Sequence, residues 1–254
     1  MVEGAELLRS ALDSGAEVES VYVAPEGAGD PGLAEVVARA HASGARVFDL
    51  APGVLTRVAD TVTPQPVLAV LPMVDVALET LEGEGLVVVC VDVRDPGNAG
   101  TVLRSADAAG ARAVVLCASS VDPYNPKTVR ASAGSIFHVP VVVAPQTSGA
   151  LEHLGLLGYR RLATVVSGGD DYLGVDWRQP AAIVLGNEAS GLSGDVLAMV
   201  DGTVGIQMAG RAESLNVGVA CAVVCLEALR QRKTASVPER PSTMPGMPAG
   251  SAGS

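Results

Sequence analysis

Ser214, Leu215 and Asn216 stand together where a polar stretch meets a long apolar one. A hydroxyl, a branched apolar side chain and an amide at a helix start lie beside backbone N–H groups that have no intrahelical partner. Such an end holds a polar ligand well. Capping of the helix by Ser214 or Asn216 is the plainer reading of this stretch taken alone. Two further groups offer chemistry. Asn98 ends a turn of breakers, Arg94-Asp95-Pro96-Gly97, before a helix that carries Arg104. Gly186-Asn187-Glu188 follows a wholly apolar run. Amide, guanidinium and carboxylate are the side chains that hydrogen-bond a substrate, contact a phosphate and handle a proton. Each also has a plain use, Asn98 as cap, Arg104 as surface charge and Glu188 as turn residue.

The elements around these residues must position them. A short strand, 204–208, and a polar loop, 209–213, lead to Ser214. The helix beyond is apolar almost all round until Glu227, so it is predicted to be buried on more than one side, against a core and against another subunit. The nearly unbroken apolar run 86–93 reads as a strand buried on both faces of a parallel sheet. It ends in the 94–98 turn, and the helix predicted over 99–109 carries Arg104. A strand at 113–118, the segment 122–127, a helix through Arg130 and Ser132 to Ser135, a strand at 139–143, a helix at 149–158 and a strand at 162–166 follow. Residues 168–180 are irregular and polar, anchored by Trp177. A strand at 181–185 delivers Gly186, and a short helix covers 195–200.

Residues 1–75 read as a separate small α/β unit, with helices at 5–14 and 32–43, a helical turn at 54–60, and strands at 20–24, 46–50 and 67–72. Residues 76–85 form an acidic linker ending in Gly83 and Gly85. Residues 86–233 form the second, layered α/β domain. The Pro-, Ser- and Gly-rich 234–254 is predicted to be a disordered tail.

Composition narrows the function. With 48% apolar residues and 3% aromatic ones, Ala, Val, Leu and Gly do the packing. No apolar run reaches the ~18 residues that span a membrane, and the N-terminus lacks a signal-peptide pattern. The expectation is a cytoplasmic protein without membrane contact. Cys90, Cys117, Cys221 and Cys225 sit inside apolar patterns and are expected as reduced core residues. The three histidines stand apart, and no metal site is visible. A net charge of −11 argues against a nucleic-acid partner at first sight. The charge is uneven, however: residues 1–75 carry 11 acids against 4 bases, residues 76–233 carry 16 against 12. A local basic site fits on such a body. Gly27-Ala28-Gly29-Asp30-Pro31-Gly32 matches the dinucleotide fingerprint on paper, with Asp49 closing the next strand. Glu26 and Asp30 put negative charge where phosphates would lie, and Pro31 lacks a donor N–H, so an acidic surface turn is the better reading.

Three segments stand in a specific order: Asp95-Pro96-Gly97-Asn98-Ala99-Gly100 through Arg104 to Gly110, Val184 through Gly186-Asn187-Glu188 to Gly191-Leu192, and Gly205 through Ser214-Leu215-Asn216 to Ala220. Together they resemble the three motifs of the SpoU/TrmH family of RNA ribose 2′-O-methyltransferases, over about residues 86–232. The stretch from Asn125-Pro126-Lys127 through Arg130 to Gly134 resembles the family's usual sequence between the first two motifs. The resemblance implies an α/β fold with a C-terminal trefoil-knotted parallel-sheet methyltransferase domain, a topology that residue patterns alone cannot give. It implies S-adenosylmethionine as cofactor, bent against Thr164, Gly186, Ile206, Ser214, Leu215 and Asn216, and a homodimer through the C-terminal helix. By resemblance Arg104 is the catalytic arginine. Its guanidinium is a poor base, so a phosphate contact that positions the ribose suits it better. Asn98 and Glu188 would orient Arg104 and the substrate, Ser214 and Asn216 would complete the polar ring, and Lys127 and Arg130 would contact RNA phosphates.

Residues 1–75 resemble the family's small α/β RNA-substrate-binding domain, without the basic helix that usually precedes it. Gln207 stands where the family commonly has proline, which predicts weaker cofactor affinity. The expected reaction is methylation of a ribose 2′-hydroxyl in structured RNA, ribosomal RNA first. The alternatives are a member that binds cofactor or RNA without turnover, and a transfer-RNA ribose methyltransferase.

Overall fold

The computed structural model describes residues 1–58 and 63–235. The first unit runs β1 (Val2–Glu3), α1 (Ala5–Asp13), β2 (Ser20–Val23), α2 (Pro31–Ala42), β3 (Arg46–Asp49), α3 (Leu55–Val58) and β4 (Val67–Val70). Its four-stranded sheet has the order β1-β4-β2-β3, antiparallel except between β2 and β3. The helix α2 starts at Pro31 because Asp30 accepts the N–H groups of Gly32 and Leu33, and proline suits the first helical position. The Asp30 carboxylate thereby occupies the helix end that a dinucleotide would need for its phosphates. A side chain at Gly27 would stand 2.3 Å from Leu33, so this glycine answers to packing.

The second unit runs β5 (Leu86–Cys90), α4 (Pro96–Ala108), β6 (Ala113–Cys117), α5 (Pro126–Ser132), β7 (Val141–Ala144), α6 (Thr147–Leu156), β8 (Arg160–Thr164), β9 (Asp170–Asp171), β10 (Ala181–Leu185), α7 (Gly194–Leu197), β11 (Gly202–Gly205) and α8 (Val217–Ala235). Its seven strands lie in the order β7-β6-β5-β10-β8-β11-β9, every neighbouring pair parallel. The apolar strands β5, β6 and β10 are buried throughout, as strands covered on both faces must be. Strand β10 lies between β5 and β8, and β11 on the far side of β8. The loops after β5, β8, β10 and β11 therefore open at one edge of the sheet.

Helix α4 packs against both α5 and α8, at glycines. A side chain at Gly100 would stand 2.3 Å from the Ala131 Cβ, and one at Gly218 would stand 2.7 Å from the Thr101 methyl. Helix α4 begins three residues before its predicted start, because Asp95 accepts the Asn98 N–H at 2.8 Å and Pro96 takes the first helical position. Strand β11 ends at Gly205, which leaves 206–216 irregular up to the cap of α8. That helix continues to Ala235, past the predicted start of the tail at 234; residues 236–254 lie outside the described residues, as do 59 and 60 of the turn predicted at 54–60.

The end of the first unit and the linker are both fastened to the second unit. The Tyr124 hydroxyl accepts the N–H groups of Val74 and Asp75 at 3.0 and 2.8 Å and donates to the Asp75 carboxylate at 2.6 Å. The Tyr159 hydroxyl donates to the carbonyl groups of Glu82 and Glu84. Between the units, the Ser10 hydroxyl donates to the Gly134 carbonyl at 3.3 Å and lies 3.1 Å from His138 Nε2. Trp177 is fully buried, and its main-chain N–H donates at 3.0 Å to Gln231 of α8, which in turn donates to the Val175 carbonyl. The irregular 172–180 segment is thereby tied to α8. All four cysteines are buried and free, and burial raises the thiol pKa of Cys90. No described helix is long and apolar enough to cross a membrane.

Candidate active site

A cavity opens where the loops after β8, β10 and β11 meet the start of α8. Its walls are Thr164 to Val166, Gly186 to Glu188, Gly205, Ile206, Met208, Ser214 and Leu215, with Val217, Ala220 and Val224 of α8 as floor. The space between them, open mouth included, is about 750 Å³. The walls are mainly apolar. Main-chain groups of the irregular 206–215 segment stand outside any ladder or helix, so they remain available to a ligand. The Thr164 hydroxyl donates to the Val184 carbonyl at 3.2 Å, leaving its acceptor capacity open.

A directed chain of side-chain hydrogen bonds runs along the rim. Asn216 Oδ1 accepts the N–H groups of Gly218 and Val219 at 2.9 and 3.3 Å, so Asn216 is the cap of α8. That fixes which end of the amide is oxygen. Its Nδ2 donates to Asn98 Oδ1 at 2.8 Å, and Asn98 Nδ2 donates to Glu188 Oε1 at 2.7 Å. Each amide therefore has its orientation set by the next, and the carboxylate ends the chain as acceptor. Capping and site-building, which the sequence leaves as alternatives, fall to the two ends of one side chain.

Asn187 holds the loop that presents Glu188. Its oxygen accepts from the N–H groups of Ala189 and Ser190 at 2.9 and 3.1 Å, and its Nδ2 donates to the Asp92 carbonyl at 3.0 Å. Asp92 has φ 59°, a left-handed conformation that aspartate tolerates better than most residues. Its carboxylate pairs with Arg94 at 2.7 Å. A Cβ at Gly186 would stand 2.7 Å from the Gly191 carbonyl carbon, so only glycine lets this loop close. Neither Asn187 nor Asp95 is singled out as a site residue by the sequence. The signal for Asp95 is present, an aspartate directly before proline; that for Asn187 is a backbone role with no local signature.

Thr164, Gly186, Glu188, Ile206, Ser214 and Leu215 all line the cavity, and Asn98 and Asn216 join them through the chain of amides. Arg104 does not join. Six residues along α4 from Asn98, it lies about 120° away around the helix. It is exposed and has no hydrogen bond or ion pair among the described residues. Lys127 is exposed in the first turn of α5. Arg130 is half-buried and lies 3.8 Å from Glu3, facing the first unit. No described group of His, Cys, Asp and Glu could hold a metal ion.

Two family models match the chain. Residues 85–226 match the SpoU rRNA Methylase family, and residues 1–76 match RNA 2′-O ribose methyltransferase substrate binding. The chain is 34% identical over 225 residues to the 23S rRNA (guanosine(2553)-2′-O)-methyltransferase RlmP of Bacillus subtilis, covering 88% of this chain and 86% of that protein. The crystal structure of an AdoMet-bound rRNA methyltransferase from Sinorhizobium meliloti superposes with a TM-score of 0.80 at 31% identity, covering 90% of this chain and 86% of that one. The TrmH/SpoU tRNA modifying enzyme of A. aeolicus matches with a TM-score of 0.54 at 26% identity, over 63% of this chain and 82% of its own.

Proposed function

The chain belongs to the SpoU rRNA methylase family, and from that premise we propose that its cavity aligns a ribose 2′-hydroxyl of ribosomal RNA with the methyl group of S-adenosylmethionine. The protein is an RNA 2′-O-ribose methyltransferase. Ribosomal RNA is favoured over transfer RNA because the similarity to rRNA enzymes runs through both units, while that to the tRNA enzyme covers 63% of the chain.

The residues present fit S-adenosylmethionine. Ile206 and Leu215 offer apolar walls to a purine, and the irregular main chain of 206–215 offers donors and acceptors to its edge. Glu188 sets a carboxylate at the mouth, a charge that would favour a cationic sulfonium. Gln207 replaces the stiffening of a proline without removing a main-chain group. The cofactor supplies an electrophilic methyl on a cationic sulfur; alignment and proton removal fall to the protein.

In this reading Thr164, Gly186, Ile206, Leu215 and the Ser214 hydroxyl hold the cofactor. Asn216 and Asn98 hold the substrate edge of the site in register with α8. Arg104 and Lys127, both exposed, take RNA phosphates; Arg130, facing Glu3, serves the junction between units. The insertion of β10 between β5 and β8, followed by the return of α8 onto α4, supports a trefoil knot as the path of the C-terminal half. The half-exposed Val219 and Leu226 of α8, with Leu215 at 37% exposure, support a dimer through that helix. Residues 1–75 serve as the substrate-binding domain, and 86–233 as the methyltransferase domain.

The observation that carries this reading is the cavity with a completed amide–carboxylate chain on its rim. That completeness also speaks against a member without turnover. Calorimetry with S-adenosylmethionine should give one site per chain. Unmodified 23S rRNA transcript should then acquire a single 2′-O-methyl mark, found as a position resistant to alkaline cleavage. Cofactor binding without any mark on ribosomal RNA would remove the assignment of substrate.

A further inference from the structure

Aromatic side chains make up only 3% of this chain, and two of them meet at one edge of the first unit. Strands β2 and β3 run parallel, with Tyr22 in register with Phe48. Their rings stack, with centroids 5.3 Å apart and planes 17° apart. Strand β3 is the outer strand of its sheet. Tyr22 therefore covers the inner face of the Phe48 ring, and the other face looks off the sheet edge. Phe48 is 42% exposed there.

The two faces of this sheet differ. Val21, Val23 and Val47 point to the face on which α1 and α2 pack. Tyr22 and Phe48 point to the other, where only a small cluster of Ala24, Leu55 and Leu68 forms and α3 is set on the sheet through Leu55. The four arginines of the first unit divide in the same way. Arg9 of α1 pairs with Glu6, and Arg39 of α2 pairs with Asp13. Arg46 and Arg57 are exposed and have no hydrogen bond or ion pair among the described residues. Arg46 stands two residues before Phe48 on β3, so the two side chains share a face. Arg57 belongs to α3, on the same side of the sheet. Asp49 alternates to the opposite face, where it lines a groove with Val47 and Val37 of α2. An acidic unit thus keeps its unengaged cations on the side of its exposed ring.

An open π face beside unengaged guanidinium groups is the chemistry that holds an unpaired nucleotide, base on ring and phosphate on cation. Strand addition by a second copy is disfavoured, because β3 has four residues and carries Arg46 and Asp49 along its edge. We propose that Phe48, backed by Tyr22 and accompanied by Arg46 and Arg57, is a stacking platform for an unpaired base of the RNA substrate. This rests on the reading of residues 1–75 as a substrate-binding domain and adds the mode of binding. A unit that gripped duplex backbone would need the cations alone. The fitting RNA presents a loop or an extruded nucleotide to the first unit while its target ribose enters the cavity.

The test compares dissociation constants of the full chain for three RNAs: unmodified 23S rRNA transcript, single-stranded oligoadenylate, and a duplex of the same length. Phe48→Leu keeps an apolar side chain and removes the π face. It should weaken binding of transcript and oligoadenylate about fivefold or more, with duplex binding and the cofactor dissociation constant within about twofold of wild type. Phe48→Trp should bind both at least as well as the wild type. Its indole emission should be quenched by oligoadenylate, beyond any change that the buried Trp177 shows in the wild type. Arg46→Gln should weaken single strand and duplex alike and flatten the salt dependence of both. Phe48→Leu binding transcript and oligoadenylate within twofold of wild type would overturn the platform. So would equal losses for single strand and duplex, or a change in oligomeric state, which would make the patch a contact between copies. An unquenched indole in Phe48→Trp overturns it even where the leucine variant fails to fold. If the wild type binds neither transcript nor oligoadenylate, the substrate-binding reading falls and the platform with it; a wild type that binds and a Phe48→Leu variant that binds equally well sink the platform alone.

Discussion

At the scale of the residue, Asn216 does two jobs through two atoms, and they can be separated. Asn216→Asp keeps an acceptor for the Gly218 and Val219 N–H groups and adds a charge that a helix start favours. It also sets a carboxylate oxygen against Asn98 Oδ1. Asn98 then turns its nitrogen to the new carboxylate and its oxygen to Glu188, and the hold on Glu188 is lost. The expected outcome is unfolding free energy within about 0.5 kcal/mol of wild type, with methyl transfer down by about 100-fold or more. Asn216→Ala should lose the same activity and about 1 kcal/mol of stability as well. Urea unfolding beside single-turnover assays would check both. An Asp variant as unstable as the Ala variant would mean the cap is not what Oδ1 provides. The sequence carries the members of this chain, because amide, carboxylate and hydroxyl at element ends are readable side-chain chemistry. It does not carry their direction, since which amide atom faces which partner depends on contacts 90 and 118 residues apart. The orientation of Arg104 away from Asn98 follows from helical geometry once α4 is granted. By resemblance Asn98 and Glu188 would orient Arg104, and no hydrogen bond from Arg104 to either is formed among the described residues.

At the scale of the element, the apolar runs of β5, β6 and β10 were legible because burial on both faces leaves no alternation to misread. The order of those strands was not legible: nothing in 181–185 says that this strand will enter between β5 and β8. The two-residue strands β1 and β9 are too short to show a period. Boundaries moved where a cap acted, as at Asp95 and Asn216. The helix crossings depend on the absence of side chains, which a single sequence does not explain. At Gly100 an added methyl would lie 2.3 Å from the Ala131 Cβ and 2.7 Å from the Ala131 carbonyl carbon, so backbone would have to move. Gly100→Ala is therefore expected to lose about 1–3 kcal/mol by overpacking, more than the helix-propensity gain of about 1 kcal/mol returns. At Gly149, with nothing within 4 Å, the same change in α6 should raise stability. Thermal unfolding of the two variants should move in opposite directions; a stabilised Gly100→Ala would show that α4 and α5 are not closely packed in solution.

At the scale of the molecule, a net charge of −11 and an RNA substrate are reconciled by where the cations are engaged. Arg9, Arg39, Arg112, Arg161, Arg178 and Arg230 are held in ion pairs, while Arg104, Lys127 and Arg211 have none among the described residues. The sequence alone supplied the count; the pairing needed the fold. The apolar circumference of α8 was also legible, and the structure divides it. Cys221, Val224, Cys225 and Ala228 face the core, whereas Val219 and Leu226 remain 47% and 50% exposed. Two such residues seven apart lie on one stripe of a helix, and a stripe of that kind is self-complementary when two copies meet about a two-fold axis. Replacing Leu226 by Glu would place a carboxylate at the centre of that contact, where desolvation and like-charge repulsion act together. If α8 pairs as proposed, sedimentation analysis is expected to show the wild type as a dimer and Leu226→Glu as a monomer. Because Leu226 touches neither the cavity wall nor the amide chain, the variant should still bind cofactor if each site is complete within one chain. A dimer that survives the substitution would place the subunit contact elsewhere. A monomer that no longer binds cofactor would mean that pairing shapes the 206–216 loop, which leads directly into the same helix.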